Sequence, residues 1–300
     1  MIARSVLDLI GRTPMVKINK LVSSEDAELL AKLEWYNPGG SVKDRMALYL
    51  VEAAEASGRL RKDKVIIEAT SGNTGIALAM IAAVKGYRIV VVMPESVSIE
   101  RRKIIRAYGA DLILSPGEKG TAGAIELKRR IIEEDPEKYV DLDQFSDPAN
   151  IMAHYQTTAR EIIEQTSGKV DMVVVGIGTA GTGVGISMRL KEYKKDVRIV
   201  GVTPKLGISI QGLRNPAEEN PTKLFRPDAF DEIVEIEDLS SIKLIARELA
   251  RKEGLLVGQS SAAIMDVAVK KAKEIGRGRT IVAVLPDNGL KYLSTDLFEY

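Results

Sequence analysis

Lys64-Val65-Ile66-Ile67-Glu68-Ala69-Thr70-Ser71-Gly72-Asn73-Thr74-Gly75 is the stretch from which the fold can be read. Its β-branched run reads as a buried strand, and it breaks at once into a loop of hydroxyls, an amide and glycines. The apolar residues 76–85 that follow read as a helix. Strand, loop and helix in this order make the first half of a βαβ unit. Downstream, the pattern predicts strand 87–93, helix 99–108, strand 111–114, helix 122–134 and strand 139–142. After Ser146-Asp147-Pro148 it restarts with helix 150–165, strand 171–175, helix 184–194 and strand 197–202. Strand 232–236, helices 242–253 and 262–275, and strand 280–285 complete it. Upstream lie strand-like pieces at 15–18 and 28–34. The expectation is an α/β fold of two αβα domains with mainly parallel twisted sheets and right-handed crossovers. Residues 205–230 carry Gly, Pro and Asn without periodicity and read as a long irregular loop, a common place for function.

The 300 residues, 45% hydrophobic and 28% charged, suit a soluble globular protein. A formal net charge of +1 with no like-charge block points to neither nucleic acid nor an anionic membrane. There is no Cys, which excludes disulfides and thiolate chemistry, and His154 is the only histidine, so no metal site is expected. No signal-peptide core or membrane-length apolar run is present, and a cytoplasmic protein is expected.

In Asn37-Pro38-Gly39-Gly40-Ser41-Val42-Lys43-Asp44-Arg45, Ser41 reads as a helix cap and Gly58 as the helix stop. Lys43 then lies in the first turn, where the helix dipole favours a neutral amine, as a nucleophilic lysine requires. A solvated lysine beside Asp44 fits this stretch equally well.

The Thr70–Gly75 loop would gather N–H groups and hydroxyls at a helix N-terminus, an anion site. A second loop, Gly176-Ile177-Gly178-Thr179-Ala180-Gly181-Thr182-Gly183, contains G-x-G-x-x-G between strand and helix. A dinucleotide site also needs an acid at the end of the next strand, but that strand ends Gly201-Val202-Thr203-Pro204. The interleaved threonines suit a phosphate monoester better. Two anion cradles, a helix-start lysine and no metal ligands fit a cofactor with its own phosphate and an aldehyde for the lysine to hold. Pyridoxal 5'-phosphate meets those demands.

Nearly end to end, the chain resembles the cysteine synthase family of fold-type-II pyridoxal-phosphate enzymes, above all its cysteine synthase B and O-phosphoserine sulfhydrylase branch. The resemblance rests on Gly11-Arg12-Thr13-Pro14, the Lys43 segment, both glycine loops, Asp143-Gln144-Phe145, His154-Tyr155, Gly258-Gln259-Ser260-Ser261 and Tyr292-Leu293-Ser294-Thr295. It implies that Lys43 is the Schiff-base lysine and proton-transfer base, and that Asn73 bonds the cofactor's ring hydroxyl. Gly178, Thr179, Ala180, Gly181 and Thr182 would bind its phosphate. Thr70, Ser71, Thr74 and Gln144 would bind the substrate carboxylate, with Ser260 near the ring.

Departures from the family pattern matter too. In Pro286-Asp287-Asn288-Gly289, Asn288 is expected opposite the pyridine nitrogen, with an inward Asp287 as the alternative. Ala180 replaces a usual glycine and is expected to need ordinary backbone angles. Thr203 replaces a common glutamate. Arg214 is the candidate to recognise a substrate phosphate, which leaves O-phospho-L-serine and O-acetyl-L-serine both open as donors. His154 is expected to be structural, Trp35 and Tyr36 to be packing, and Arg101-Arg102-Lys103 to be a solvated helix face.

The implied reaction is β-replacement by sulfide, or by a thiocarboxylated sulfur carrier, to give L-cysteine. Cystathionine β-synthase, serine/threonine dehydratase and a synthase with a nitrogen nucleophile are the enzymatic alternatives; a non-catalytic regulatory protein and a nicotinamide-dependent dehydrogenase are the others. The resemblance also implies a homodimer and discontinuous domains. Residues 44–147 would form a smaller mobile domain, and 1–43 with 148–300 a larger one that binds the cofactor.

Overall fold

The computed structural model describes residues 2–70, 72–218 and 222–299. Strands β1 (Met15–Lys17) and β2 (Glu28–Leu33) come first, followed by helix α1 (Lys43–Ala56). The next segment alternates β3 (Val65–Ala69), α2 (Asn73–Lys85), β4 (Arg88–Pro94), α3 (Ile99–Ala107), β5 (Asp111–Ser115), α4 (Gly120–Glu134) and β6 (Tyr139–Asp141). Then come α5 (Ala149–Ala153), α6 (Ala159–Gln165), β7 (Met172–Gly176), α7 (Gly181–Tyr193), β8 (Arg198–Pro204) and β9 (Glu232–Ile236). Helices α8 (Leu239–Glu248) and α9 (Gln259–Ile275) precede β10 (Thr280–Leu285). Among the described residues these strands form two sheets, in the orders β5-β4-β3-β6 and β1-β2-β10-β7-β8-β9. Every pairing is parallel except β1 with β2. The α/β class with mainly parallel sheets is therefore as expected.

The inner strands of both sheets are covered on both faces, which is why β3, β4, β7, β8 and β10 are near-continuous buried apolar runs rather than alternating ones. On β3, Ile66 packs with Met46 and Leu50 of α1 and Ile81 of α2, whereas Val65 and Ile67 pack with Ala124 of α4. On β10, Ile281 and Ala283 meet Ala262 and Ile264 of α9; Val282 and Val284 meet Val184 and Ile186 of α7. Among the described residues, no helix is long and apolar enough to cross a membrane.

Two local differences bear on the site. Helix α2 starts at Asn73, so half of the expected loop is helix N-terminus. The single helix expected over 150–165 is broken by a wide turn, His154–Thr158, with five-residue hydrogen-bond spacing. There the Thr157 hydroxyl bonds the Ala153 carbonyl at 2.5 Å and competes with the helix ladder. The loops after β3 and β7 and the turn after β10 all leave the carboxyl ends of parallel strands, where ligands of open α/β sheets bind.

Candidate active site

Lys43 is the first residue of α1, and its N–H donates to the Ser41 hydroxyl at 3.2 Å. The Val42 N–H donates to the Pro286 carbonyl at 2.9 Å, which fastens the helix start to the end of β10. The Lys43 side chain enters a cavity of about 300 Å³, within the range of small-molecule sites. Burial pushes its amine down to about 8, against the opposing charge of Asp287.

Gly178, Thr179, Ala180 and Thr182 line a recess beside Lys43, at the start of α7. Asn150 donates to the Thr179 hydroxyl at 2.9 Å, and the Gly181 N–H faces the same hydroxyl at 3.4 Å. Thr182 Oγ1 lies 3.2 Å from His154 Nε2, and His154 Nδ1 lies 2.9 Å from Thr158 Oγ1. Burial, reinforced by Arg45 and Lys43, drives the imidazole down to about 3, so His154 is neutral and orients a hydroxyl. The sequence reading expected a structural histidine; the ring is buried and its partner is the second glycine loop, which the sequence did not reveal. The backbone is closely packed here: a Cβ on Gly178 would lie 2.6 Å from the Gly212 carbonyl oxygen, and one on Gly181 2.1 Å from Asn150 Oδ1.

Ala180 does not have ordinary backbone angles. Its φ is +69°, in the left-handed region, because the chain must turn sharply from β7 into α7. Such a conformation costs a non-glycine residue about 1 to 2 kcal/mol. Ala180→Gly is expected to raise stability by about 0.5 kcal/mol, since relief of that strain exceeds glycine's extra unfolded entropy. Urea denaturation checks this, and a clear loss would mean that the buried methyl matters more than the strain.

The four expected carboxylate ligands divide. Thr70, Thr74 and Gln144 line the cavity, and Ser71 lies outside the described residues. The Thr74 hydroxyl donates to Gln144 Oε1 at 2.7 Å, which leaves the Gln144 amide N–H groups for an anion. The Thr70 hydroxyl accepts from the Gly72 N–H at 3.1 Å and still has its own proton to donate.

Asn73 and Ser260 line the same cavity, but Asn288 does not. The Asn288 side-chain oxygen Oδ1 accepts from the Leu290 N–H at 3.2 Å, capping the short turn that follows, so this side chain is engaged locally. Asp287 is not in the cavity wall either; it bonds Asn73 and Tyr292 instead. Ser260, by contrast, is buried with its hydroxyl in the cavity lining.

Arg101 corrects another expectation. It is 2% exposed and lines the cavity, with its guanidinium 4.7 Å from the Tyr292 ring centroid and a bond to Gln211. A Cβ on Gly72 would lie 2.4 Å from Arg101 Cδ, so the glycine makes room for this arginine. Tyr36, expected to be packing, is 62% exposed. Arg214 does reach the cavity, where Glu218 Oε2 lies 3.0 Å from its Nε. Thr203 gains a role here: its hydroxyl donates to the Arg214 carbonyl at 2.8 Å.

A helix N-terminus with two threonine hydroxyls, a buried amine and an unpartnered buried acceptor, Asn73 Oδ1, suit a phosphorylated aromatic aldehyde. The pyridoxal-phosphate dependent enzyme family matches residues 6–287. The chain belongs to that family. Its cofactor is pyridoxal 5'-phosphate. A cysteine synthase from Staphylococcus aureus is 40% identical over 308 aligned positions, covering 99% of this chain and 97% of the relative. The crystal structure of a cysteine synthase from Entamoeba histolytica superposes with a TM-score of 0.93 at 39% identity, covering 100% of this chain and 92% of that one. That of O-ureido-L-serine synthase gives 0.93 at 39%, covering 99% and 96%. The cysteine synthase resemblance read from the motifs is borne out.

Proposed function

We propose that this chain is a cysteine synthase that replaces the β-substituent of an activated L-serine with sulfide. The observation that carries this is Lys43, an amine held near pKa 8, between a phosphate cradle and a carboxylate-binding loop in one cavity. Gly178 to Thr182 hold the cofactor phosphate, Asn73 its ring hydroxyl and Ser260 its ring nitrogen. When bound, pyridoxal phosphate supplies the aldehyde that links the amino acid and the ring that accepts charge from Cα. Thr70, Ser71 and the Gln144 amide orient the substrate carboxylate, with Thr74 holding Gln144. Lys43 takes the Cα proton as the leaving group departs and returns one after sulfide adds. A neutral Ser260 hydroxyl, unlike a carboxylate, leaves the ring nitrogen unprotonated, which suits replacement at Cβ.

Arg214 and Glu218 select the donor. A phosphate dianion at Arg214 would have to displace Glu218 or lie beside its charge, and a neutral acetyl ester does neither. The donor is O-acetyl-L-serine. Glu218→Gln is expected to raise kcat/KM for O-phospho-L-serine about tenfold and to leave acetylserine within about twofold. Arg214→Ala is expected to depress phosphoserine turnover far more than acetylserine turnover; equal losses would remove Arg214 as a selector.

The enzyme works in the cytoplasm as a homodimer, and residues 44–147 close over the substrate. The test is product analysis with sulfide and each donor, followed by initial rates with both substrates varied. L-cysteine formed with ping-pong kinetics supports the proposal. Protein that yields no cysteine, or that gives a product only with a nitrogen or oxygen nucleophile, overturns it.

A further inference from the structure

Asp287 has a built seat and no established task. It follows β10, is fully buried, and its Oδ2 accepts from Asn73 Nδ2 at 2.8 Å and from the Tyr292 hydroxyl at 3.0 Å, with Lys291 Nζ at 3.7 Å. The Ser261 hydroxyl donates to its carbonyl at 2.8 Å and accepts from its N–H at 3.2 Å. A Cβ on Gly258 would lie 2.0 Å from Oδ1, so only glycine leaves room for the carboxylate. Asn73 opens α2 beside the four-stranded sheet, whereas Asp287 lies just beyond β10 of the six-stranded one, so the bond joins the two layered units.

The chemistry of the pair fixes an orientation. A carboxylate only accepts, so the Asn73 amide must turn its nitrogen toward Asp287. One N–H is then engaged and the other remains for an acceptor in the cavity. Tyr292 stays protonated, because burial and the neighbouring carboxylate raise its phenol, and it keeps donating. The charged groups around the carboxylate are Lys43 from α1, Lys291 from the turn Gly289–Tyr292, and Arg101 from α3, which is stacked on Tyr292; the Asp44 charge also acts on Lys291.

We propose that Asp287 is a positioning residue: it fixes the Asn73 amide for the cofactor's ring oxygen and supplies the negative charge beside Lys43, without itself touching the cofactor. This rests on the assignment of Lys43 and Asn73 to the cofactor site.

The test uses the full-length apoprotein and pyridoxal phosphate, without turnover. Asp287→Asn removes the charge and offers Asn73 an ambiguous partner; Asp287→Ser, smaller, is a second variant should the first fail to fold. Either should weaken cofactor affinity about tenfold. Either should also lower, by about one unit, the pH midpoint at which apoprotein captures the cofactor, because an amine without its counter-charge loses its proton more readily. Asn73→Ala added to Asp287→Asn should weaken affinity little beyond the single changes. A purely structural aspartate would lower thermal stability without moving that midpoint. Wild-type affinity and midpoint in a folded variant, or additive losses with Asn73→Ala, would overturn the inference alone. Wild-type protein that takes up no pyridoxal phosphate overturns the cofactor site and this inference with it.

Discussion

Lys43→Ala is expected to lower turnover at least about 10³-fold, because one side chain carries both the covalent link to the cofactor and the proton transfer. The fold should survive. The native state pays for a buried amine whose charged form is disfavoured, so the alanine apoprotein should be at least as stable as the wild type. The pH dependence has a definite sign. Burial lowers the folded pKa to about 8 from 10.5, so native Lys43 binds fewer protons than unfolded Lys43 between those values. Wild-type stability therefore rises relative to the variant as pH climbs from about 8 to 10.5 and is most penalised below 8. Unfolding midpoints of both apoproteins across this range, beside initial rates, check the claim. If the variant lost stability in step with activity, Lys43 would be a structural lysine.

The features that proved legible in the sequence were those carried by local pattern. β9 and β10 have the bounds expected, because their β-branched residues lie between polar and turn-forming ones. Both glycine loops lie where strand gives way to helix, and Lys43 begins a helix. What stayed hidden depends on partners distant along the chain. An arginine near a helix start looks alike whether it meets water or a tyrosine ring; Arg101 was decided by Gly72 and Tyr292, which no spacing links to it. Asn288 sits in the expected turn, but its side chain follows the nearest unpaired N–H, that of Leu290. The signal for Asp287 was the neighbouring Gly258, whose missing side chain makes room for a carboxylate. The wide turn at His154 had a local cue in Thr157-Thr158, hydroxyls able to bond the backbone one turn back.

Arg45→Met is expected to destabilise the protein by about 3 to 5 kcal/mol, the cost of breaking a buried ion pair from one side. Arg45, two residues beyond Lys43, lies between two carboxylates. Its Nε and Nη2 donate to Glu34 at 2.7 and 2.9 Å, and its Nη1 and Nη2 donate to Glu161 at 2.6 and 2.7 Å. The Thr13 hydroxyl donates to Glu34 at 2.7 Å, and Lys32 Nζ lies 2.8 Å from Glu161. The network ties the start of α1 to β2 and α6. Without the guanidinium, Glu34 would be buried beside Glu161 with only Lys32 and neutral donors nearby. Arg45→Lys should recover little, because an ammonium cannot bond two carboxylates in parallel pairs. Acid resolves the cause. Burial pushes Glu34 upward, but Arg45 and its neighbours outweigh it and hold the carboxyl down to about 2, below its usual 4.5. The stabilisation from that shift is present above pH 4.5 and lost as pH falls toward 2. In the methionine variant the carboxyl rises instead, so its deficit relative to wild type should shrink between pH 4.5 and 2. Urea denaturation at pH 7 and pH 3 measures both. A deficit that is unchanged by acid would assign the loss to packing around the long side chain and not to its charge.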